Sequence, residues 1–458
     1  MNKINILDQL IYFQKNIRDE EDAYNLYKGL YSTCLINSLE NKNFKEFFNI
    51  ENWGLEKLVK IFDNQNHFNK CLKIFDDILD DAFKKKIFKS VKPKKYNNKI
   101  AFYVDNLQKI LAHVEVFLNF LENIDQDKLS KYQVDIFTIT PLEKVNEKFK
   151  NLCKVLNINI FSFNNLDPKN IDLYASYQLI INFYIENAYK NLIFLSTVTG
   201  ISFLSKSLPN NVSWLPLKHL SNSFISLKNI YSLHNEIKLD LAENTKIFFS
   251  KFKPNINSQL IDCNFIDKKI KFFTINREEK IKDGIFLNCV KEVLNKFPHS
   301  TFSWTGRHKD SFIQNFFDQH NLSQRVYYLG WIDIDKLGLK HGDVFLDTEN
   351  LSGVVASKCF MSGIPTVFFN KSSFWLNSFQ DDIKNNNTYN FIEQEIINEW
   401  YNNSVNYKNN YLNIISKLST NKEYFNNYRD LSIKLAKKYF NILSSKKHAN
   451  LLFEKIVS

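Results

Sequence analysis

Between residues 270 and 370 the apolar positions follow two alternating periods. Runs of strand length fall at 270–275, 301–305, 325–329, 343–347 and 365–369. Between the first two, Ile285, Phe286, Cys289, Val290, Val293, Leu294 and Phe297 recur at helical spacing and stop before Pro298. Residues 309–320 read as a second amphipathic helix, and 354–362 as a third that follows a turn through Gly353. Strand–helix alternation with glycine at strand ends predicts a parallel α/β sheet of Rossmann type.

A similar unit precedes it. Residues 100–105 read as a strand leading into a helix around 113–121, with further strands at 134–138, 158–163 and 192–195. Before residue 96 the pattern is helical throughout, over 7–31 and 44–83, and after about residue 405 it is helical to the end. Residues 236–255 read as a hinge. The expected order is a helical segment (1–96), a Rossmann-like domain (97–236), a second Rossmann-like domain (237–404) and C-terminal helices (405–458).

Composition sharpens this picture where residues are scarce. Of 458 residues only ten are glycine, and seven of these lie between Gly284 and Gly363. Tight turns and close backbone approaches therefore concentrate there. Arginine is equally sparse (Arg18, Arg277, Arg307, Arg325 and Arg429), so most of the net charge of +11 is lysine. The lysine and the 42 phenylalanines fit an AT-rich coding style, which makes the charge a weak argument for a nucleic-acid partner. Six scattered cysteines, with no Cys-x-x-Cys and no Cys/His cluster, argue against a disulfide framework or zinc site. The best apolar stretch, 191–204, falls short of the ~20 residues of a membrane span, and no signal-peptide core opens the chain. The expected location is the cytoplasm, with contact to a membrane surface left open.

Candidate chemistry gathers where the glycines do. The loop 347–352 opens a helix at Gly353, so free backbone N–H groups and the helix dipole can meet phosphate. Arg277 and Lys280 follow the strand ending at residue 275 and suit a leaving pyrophosphate. Trp331 and Ile332 after Gly330 can flank a base. No Gly-x-Gly-x-x-Gly and no Walker lysine motif is present. Arg307 and His308, after the Gly306 turn, read equally as cleft residues or as a strand-exit loop, and His219 as a donor contact or a turn cap. The run 84–99 holds eight lysines with Phe88 and Tyr96 between them. It reads first as a solvated linker and second as an anionic-polymer or membrane contact.

An ordered series of motifs then carries a resemblance: Asn276-Arg-Glu-Glu-Lys280-Ile, Arg325-Val-Tyr-Tyr-Leu-Gly-Trp331, Asp343-Val-Phe-Leu-Asp-Thr348 with Gly353, and Ser362-Gly-Ile-Pro-Thr-Val367. Over about 100 residues the chain resembles GT-B glycosyltransferases, most nearly the O-GlcNAc-transferase-like family with the bacterial adhesin N-glycosyltransferases. The resemblance implies an α/β protein with two GT-B-like, Rossmann-like domains facing a cleft. It implies an inverting, metal-independent transfer from a nucleotide sugar, expected to be UDP-linked, to a protein or glycan acceptor, with no further cofactor. It assigns Lys280 to the diphosphate, Thr348, Glu349, Ser352, Gly353, Val354 and Val355 to the phosphate-holding loop and helix start, and Ile332 to the base. His113 falls at a histidine position that acts as base or orients the donor. Two departures stand against it. Lys358 occupies the place of the usual ribose-binding acid and cannot accept a hydrogen bond. Val354-Val355-Ala356 replaces the family's His-Thr-Thr. A non-catalytic GT-B-like partner protein is the second reading, and a basic nucleic-acid-binding protein the third and weaker.

Overall fold

The computed structural model describes residues 21, 24–25, 27–61, 65–93, 95–108, 112–164, 172–195, 200–215, 230–232, 242–244, 269–276, 278–282, 284–306, 308–332, 342–348, 355, 359, 362–368, 389–402, 407–439 and 442–458. The chain divides into two compact units, Met1–Ile247 with Lys446–Ser458, and Phe248–Ser445. The C-terminal helices read as one block thus divide between them, and the last thirteen residues belong with the first unit.

The first unit is built on β1 (Lys99–Tyr103), β2 (Gln133–Thr138), β3 (Asn159–Ser162), β4 (Asn191–Leu195), β5 (Val212–Leu215), β6 (Ile230–Ser232) and β7 (Ala242–Asn244). They form one sheet in the order β3-β2-β1-β4-β5-β6-β7, and every pairing is parallel. Residues 100–103 and all of β4 are buried, as a parallel strand covered on both faces requires. β7 lies inside the stretch read as a hinge.

The expected N-terminal helical segment is present among the described residues as Ser32–Glu40, Phe44–Ile61 and Gln65–Lys84. It is not a separate cap, because Phe47, Phe48, Phe75 and Leu79 share one buried cluster with Tyr103, Phe194 and Trp214 of the sheet. The Phe48 ring packs 4.8 Å from Phe203 and 5.5 Å from Tyr177, both near edge-on, a geometry favoured by the aromatic quadrupole. Phe88, in the lysine-rich run, is buried against the same rings. The Ser90 hydroxyl donates to the Lys206 carbonyl at 2.8 Å and the Val91 N–H to the Ser207 carbonyl at 2.8 Å. The run is thus a connector pinned at its middle, with its described lysines turned largely to solvent.

The end of the chain closes this unit. The Lys190 ammonium donates to the Val457 and Ser458 carbonyls at 2.6 and 2.9 Å. The Asn450 side chain accepts from the Asp125 N–H at 3.0 Å, and the Phe453 ring meets Tyr132 edge-on.

The second unit carries β8 (Lys271–Thr274), β9 (Thr301–Trp304), β10 (Val326–Tyr328), β11 (Val344–Leu346) and β12 (Thr366–Val367) in the order β10-β9-β8-β11-β12. These pairings are all parallel too. The order reverses at the first strand, the arrangement of a doubly wound sheet, whose ligands bind beyond the carboxyl ends of the strands at the switch point. The predicted helices stand at Gly284–Lys296 and Ser311–Gln319. Asp310 caps the second, its carboxylate accepting from the Phe312 and Ile313 N–H groups at 2.9 and 3.3 Å. Among the described helices none is long and apolar enough to cross a membrane.

Candidate functional site

Four loops leave the carboxyl edge of the second sheet, after β8, β9, β10 and β11. Parallel pairing brings them together although they are separated in sequence by up to 70 residues or so. Asn276, two residues past β8, joins two of them: its Nδ2 donates to Thr274 Oγ1 at 3.1 Å and to Thr348 Oγ1 at 3.3 Å. Thr274, Asp347 and Thr348 are all buried. The Thr348 N–H donates to its neighbour's Asp347 Oδ1 at 2.9 Å, which tightens the β11 exit.

Helices of the same unit brace this edge from below. The Tyr411 hydroxyl donates to the Asp347 carbonyl at 3.0 Å, and Tyr428 does the same to Thr366 at 2.5 Å. Burial, with Cys289 and Asp347 nearby, pushes the Tyr411 phenol well above its ordinary value, so it remains a donor. Burial and Asp347 likewise push the Cys359 thiol up. That cysteine is an inert packing residue rather than a nucleophile.

A charged chain spans the β8 and β9 exits. Glu278 is buried and contacts His308 Nδ1 at 3.1 Å through Oε1. The outer nitrogen of the same ring lies 3.7 Å from Asp310, which the Lys282 ammonium meets at 2.6 Å. Burial opposes the charge on Asp310, but the hydrogen bond from Lys282 and those from the Ile313 and Phe312 N–H groups outweigh it, and the carboxyl is held below the usual range. Gly306 sits against this chain. A Cβ there would lie 2.8 Å from Glu278 Oε2, so the glycine lets the acid reach the edge. The Tyr328 hydroxyl donates to the Gly306 carbonyl at 3.0 Å.

Of the residues singled out in the sequence, Lys280 lies partly buried in the short helix Glu278–Ile281 directly after β8. Ile332 follows β10, partly buried beside the largely exposed Trp331. Thr348 is buried at the β11 exit, and Val355 is helical. Lys280, Ile332 and Thr348 thus follow β8, β10 and β11 at the same carboxyl edge of the sheet. His113 falls in the first turn of the helix Ala112–Asn123 in the other unit, with its side chain outside the described residues. Arg277, Arg307, Glu349, Ser352, Gly353, Val354, Lys358 and His219 also lie outside them. The roles of Asn276 as a bridge and of Glu278 as an anchor for His308 were missed by the sequence reading. An isolated Asn after a strand, and a Glu in a mixed-charge turn, carry no periodic signal.

Known structures resemble the whole chain. An O-GlcNAc transferase from Thermobaculum terrenum, solved as a lysine-to-methionine mutant, superposes with a TM-score of 0.61 at 11% identity, covering 96% of this chain and 84% of its own. A glycosyltransferase from Rickettsia africae gives 0.51 at 13% identity over 80% of this chain and 99% of its own. The S. aureus protein TarM, solved with UDP and glycan ligands, gives 0.52 at 9% identity over 79% and 99%. The fold is GT-B. No protein-family model matches the chain, and neither does any curated protein sequence. At these identities the likeness concerns the fold alone. In a doubly wound sheet this carboxyl edge is where ligands bind, and here it holds Lys280 with the buried Thr274 and Thr348 hydroxyls and the Asn276 amide.

Proposed function

We propose that the protein is a glycosyltransferase that takes its sugar from a nucleotide-sugar donor held at the carboxyl edge of the second sheet. The observation that carries the reading is the convergence at that edge. Asn276 joins the β8 and β11 exits through Thr274 and Thr348, with Lys280 on the intervening turn. A diphosphate needs a cation and several fixed donors where charge develops on departure; Lys280, Arg277 and the loop and helix start at 348–355 have that chemistry. The acceptor attacks the anomeric carbon, the bond to the diphosphate oxygen breaks, and the acceptor's proton passes to a base, for which His113 is the candidate. With the diphosphate charge met by these side chains and N–H groups, the reading assigns no metal. The donor is read as UDP-linked by likeness to TarM, which was solved with UDP and glycan ligands, and the acceptor class as a protein or a glycan.

Calorimetry with UDP, GDP and ADP and their sugar conjugates tests this. Micromolar binding of one nucleotide family, lost in Lys280→Ala, is the expected result, and no binding by any donor removes the enzyme reading. That negative result favours a non-catalytic GT-B-like partner protein, a reading supported by Lys358 in the place of a ribose-binding acid.

A further inference from the structure

Lys280, the cation of the proposed donor site, stands on the four-residue helix Glu278–Ile281. A helix of one turn does not hold its own shape, because so few hydrogen bonds repay little of the entropy lost in fixing its residues. Here a closing bond runs from the Lys282 N–H to the Glu278 carbonyl at 3.0 Å. The place of Lys280 is therefore set by what grips the turn from outside.

Ile281 is fully buried and anchors the turn in the core of the second unit. Before Lys280, the Glu278 side chain is 2% exposed and meets His308 Nδ1 at 3.1 Å. A carboxylate only accepts, so this nitrogen is the donor of the contact. After Lys280, the Lys282 ammonium meets Asp310 Oδ2 at 2.6 Å. His308 and Asp310 belong to one stretch, the connection between β9 and the helix Ser311–Gln319. Asp310 is itself fixed by the Phe312 and Ile313 N–H groups that it caps. The β9 exit thus holds the turn on both sides of Lys280.

The two contacts have crossed polarity. An acid of the turn meets a base of the loop, and a base of the turn meets an acid of the loop. Sliding the turn until Glu278 met Asp310 would oppose two carboxylates, so the charges also fix the register. Their contribution to stability is small, because Lys282 and His308 are 41% and 65% exposed. What they supply is position. A long lysine side chain delivers its charge to one place only when its backbone is fixed, and a displacement of about 1 Å can cost about 10²-fold in rate.

We propose that the Glu278–His308 and Lys282–Asp310 contacts form a two-point clamp that positions Lys280 for the donor's diphosphate, with Glu278 and His308 as positioning residues. The assignment of Lys280 to the diphosphate rests on the sugar-transfer reading; the clamp rests on the contacts themselves.

Calorimetry on the full chain with UDP, GDP and ADP against the corresponding monophosphates tests it. The quantity read is the preference for diphosphate over monophosphate, in which base and ribose contributions cancel. Lys280→Ala should remove most of that preference. His308→Ala, at an exposed position, should reduce it about three- to tenfold, and Glu278→Ala should do the same. Glu278→Gln keeps an acceptor for His308 Nδ1 and should retain most of it. Should Glu278→Ala not fold, His308→Ala decides alone. Added to Lys280→Ala, His308→Ala should cause no further loss, since the clamp acts through that lysine. Additive losses overturn the clamp, and so does a preference that Lys280→Ala removes but His308→Ala leaves intact; the donor reading survives both. A wild-type protein with no preference for diphosphate overturns the assignment of Lys280 and the clamp's role with it.

Discussion

The Lys206 ammonium lies 3.0 Å from Asp76 and 2.7 Å from Asp80, with Lys206 and Asp76 almost wholly buried. The contact joins the helix Gln65–Lys84 to the helix Ile201–Ser207, and the Ser202 hydroxyl also donates to Asp76. Removing one member of a buried pair leaves the other charge without compensation. Lys206→Met should therefore destabilise the first unit by about 3–5 kcal/mol, read as a lowered urea midpoint. Lys206→Met with Asp76→Asn should recover much of that loss. Equal stability of the single and double variants would show that the pair is not coupled.

Glu51 gives the first unit a pH dependence of defined sign. Its folded value of about 8 stands above the ordinary value of 4.5, so the folded protein holds a proton that the unfolded chain has released. The stability from this group is complete below about 4.5 and is lost as pH rises through about 8, at up to ~1.4 kcal/mol per unit. Glu51→Gln retains an acceptor for the Gly200 N–H and cannot ionise. Thermal melts at pH 5 and pH 8 should therefore show a smaller difference between the two conditions in the variant, with the gain in stability at pH 8. An unchanged pH profile would contradict the buried placement of the acid.

Gly200 is the turn residue on which that contact depends. Its φ is +76°, and a Cβ there would sit 2.3 Å from the Tyr177 ring. Gly200→Ala combines a left-handed backbone with an overlap against a packed ring, and should cost about 1–3 kcal/mol or more. If the protein melts at an unchanged temperature, the ring is free to withdraw.

Lys280→Ala should lower turnover of the nucleotide sugar about 10²–10³-fold, the usual scale for removing one group that stabilises charge on departure. The circular-dichroism spectrum and melting temperature should be unchanged, since the side chain is partly exposed in a short turn. Near-normal turnover would exclude Lys280 from the chemistry.

The strands that periodicity identified are those with unbroken apolar runs. Ile100-Ala-Phe-Tyr and Asn191-Leu-Ile-Phe-Leu are buried along their length, and nothing but a central parallel strand explains such runs in a chain this polar. β5 escaped notice because Ser213 interrupts Val212-Ser-Trp-Leu; that serine is buried and donates to the Asn191 side chain at 3.0 Å, a partnership invisible without the neighbouring strand. β6 and β7, Ile-Tyr-Ser and Ala-Glu-Asn, are three residues each, too short for any period to register. At the carboxyl edge of the second sheet the scarce Gly306 marked a loop where Glu278 approaches closely, whereas Gly342, which admits Phe273, sits at the amino end of β11. What passes between the loops, as from Asn276 to Thr348, is set by strand order and not by local pattern.

The return of residues 446–458 to the first unit makes that unit discontinuous in the chain. During synthesis its seven strands emerge long before the segment that holds Lys190, Asp125 and Tyr132. Until then the edge formed by these residues lacks its partner, and final closure waits on a contact of very high sequence separation, the kind that slows folding. The second unit emerges within this interval, so a chain stalled just short of residue 446 carries the whole candidate donor edge on a first unit that is not yet locked.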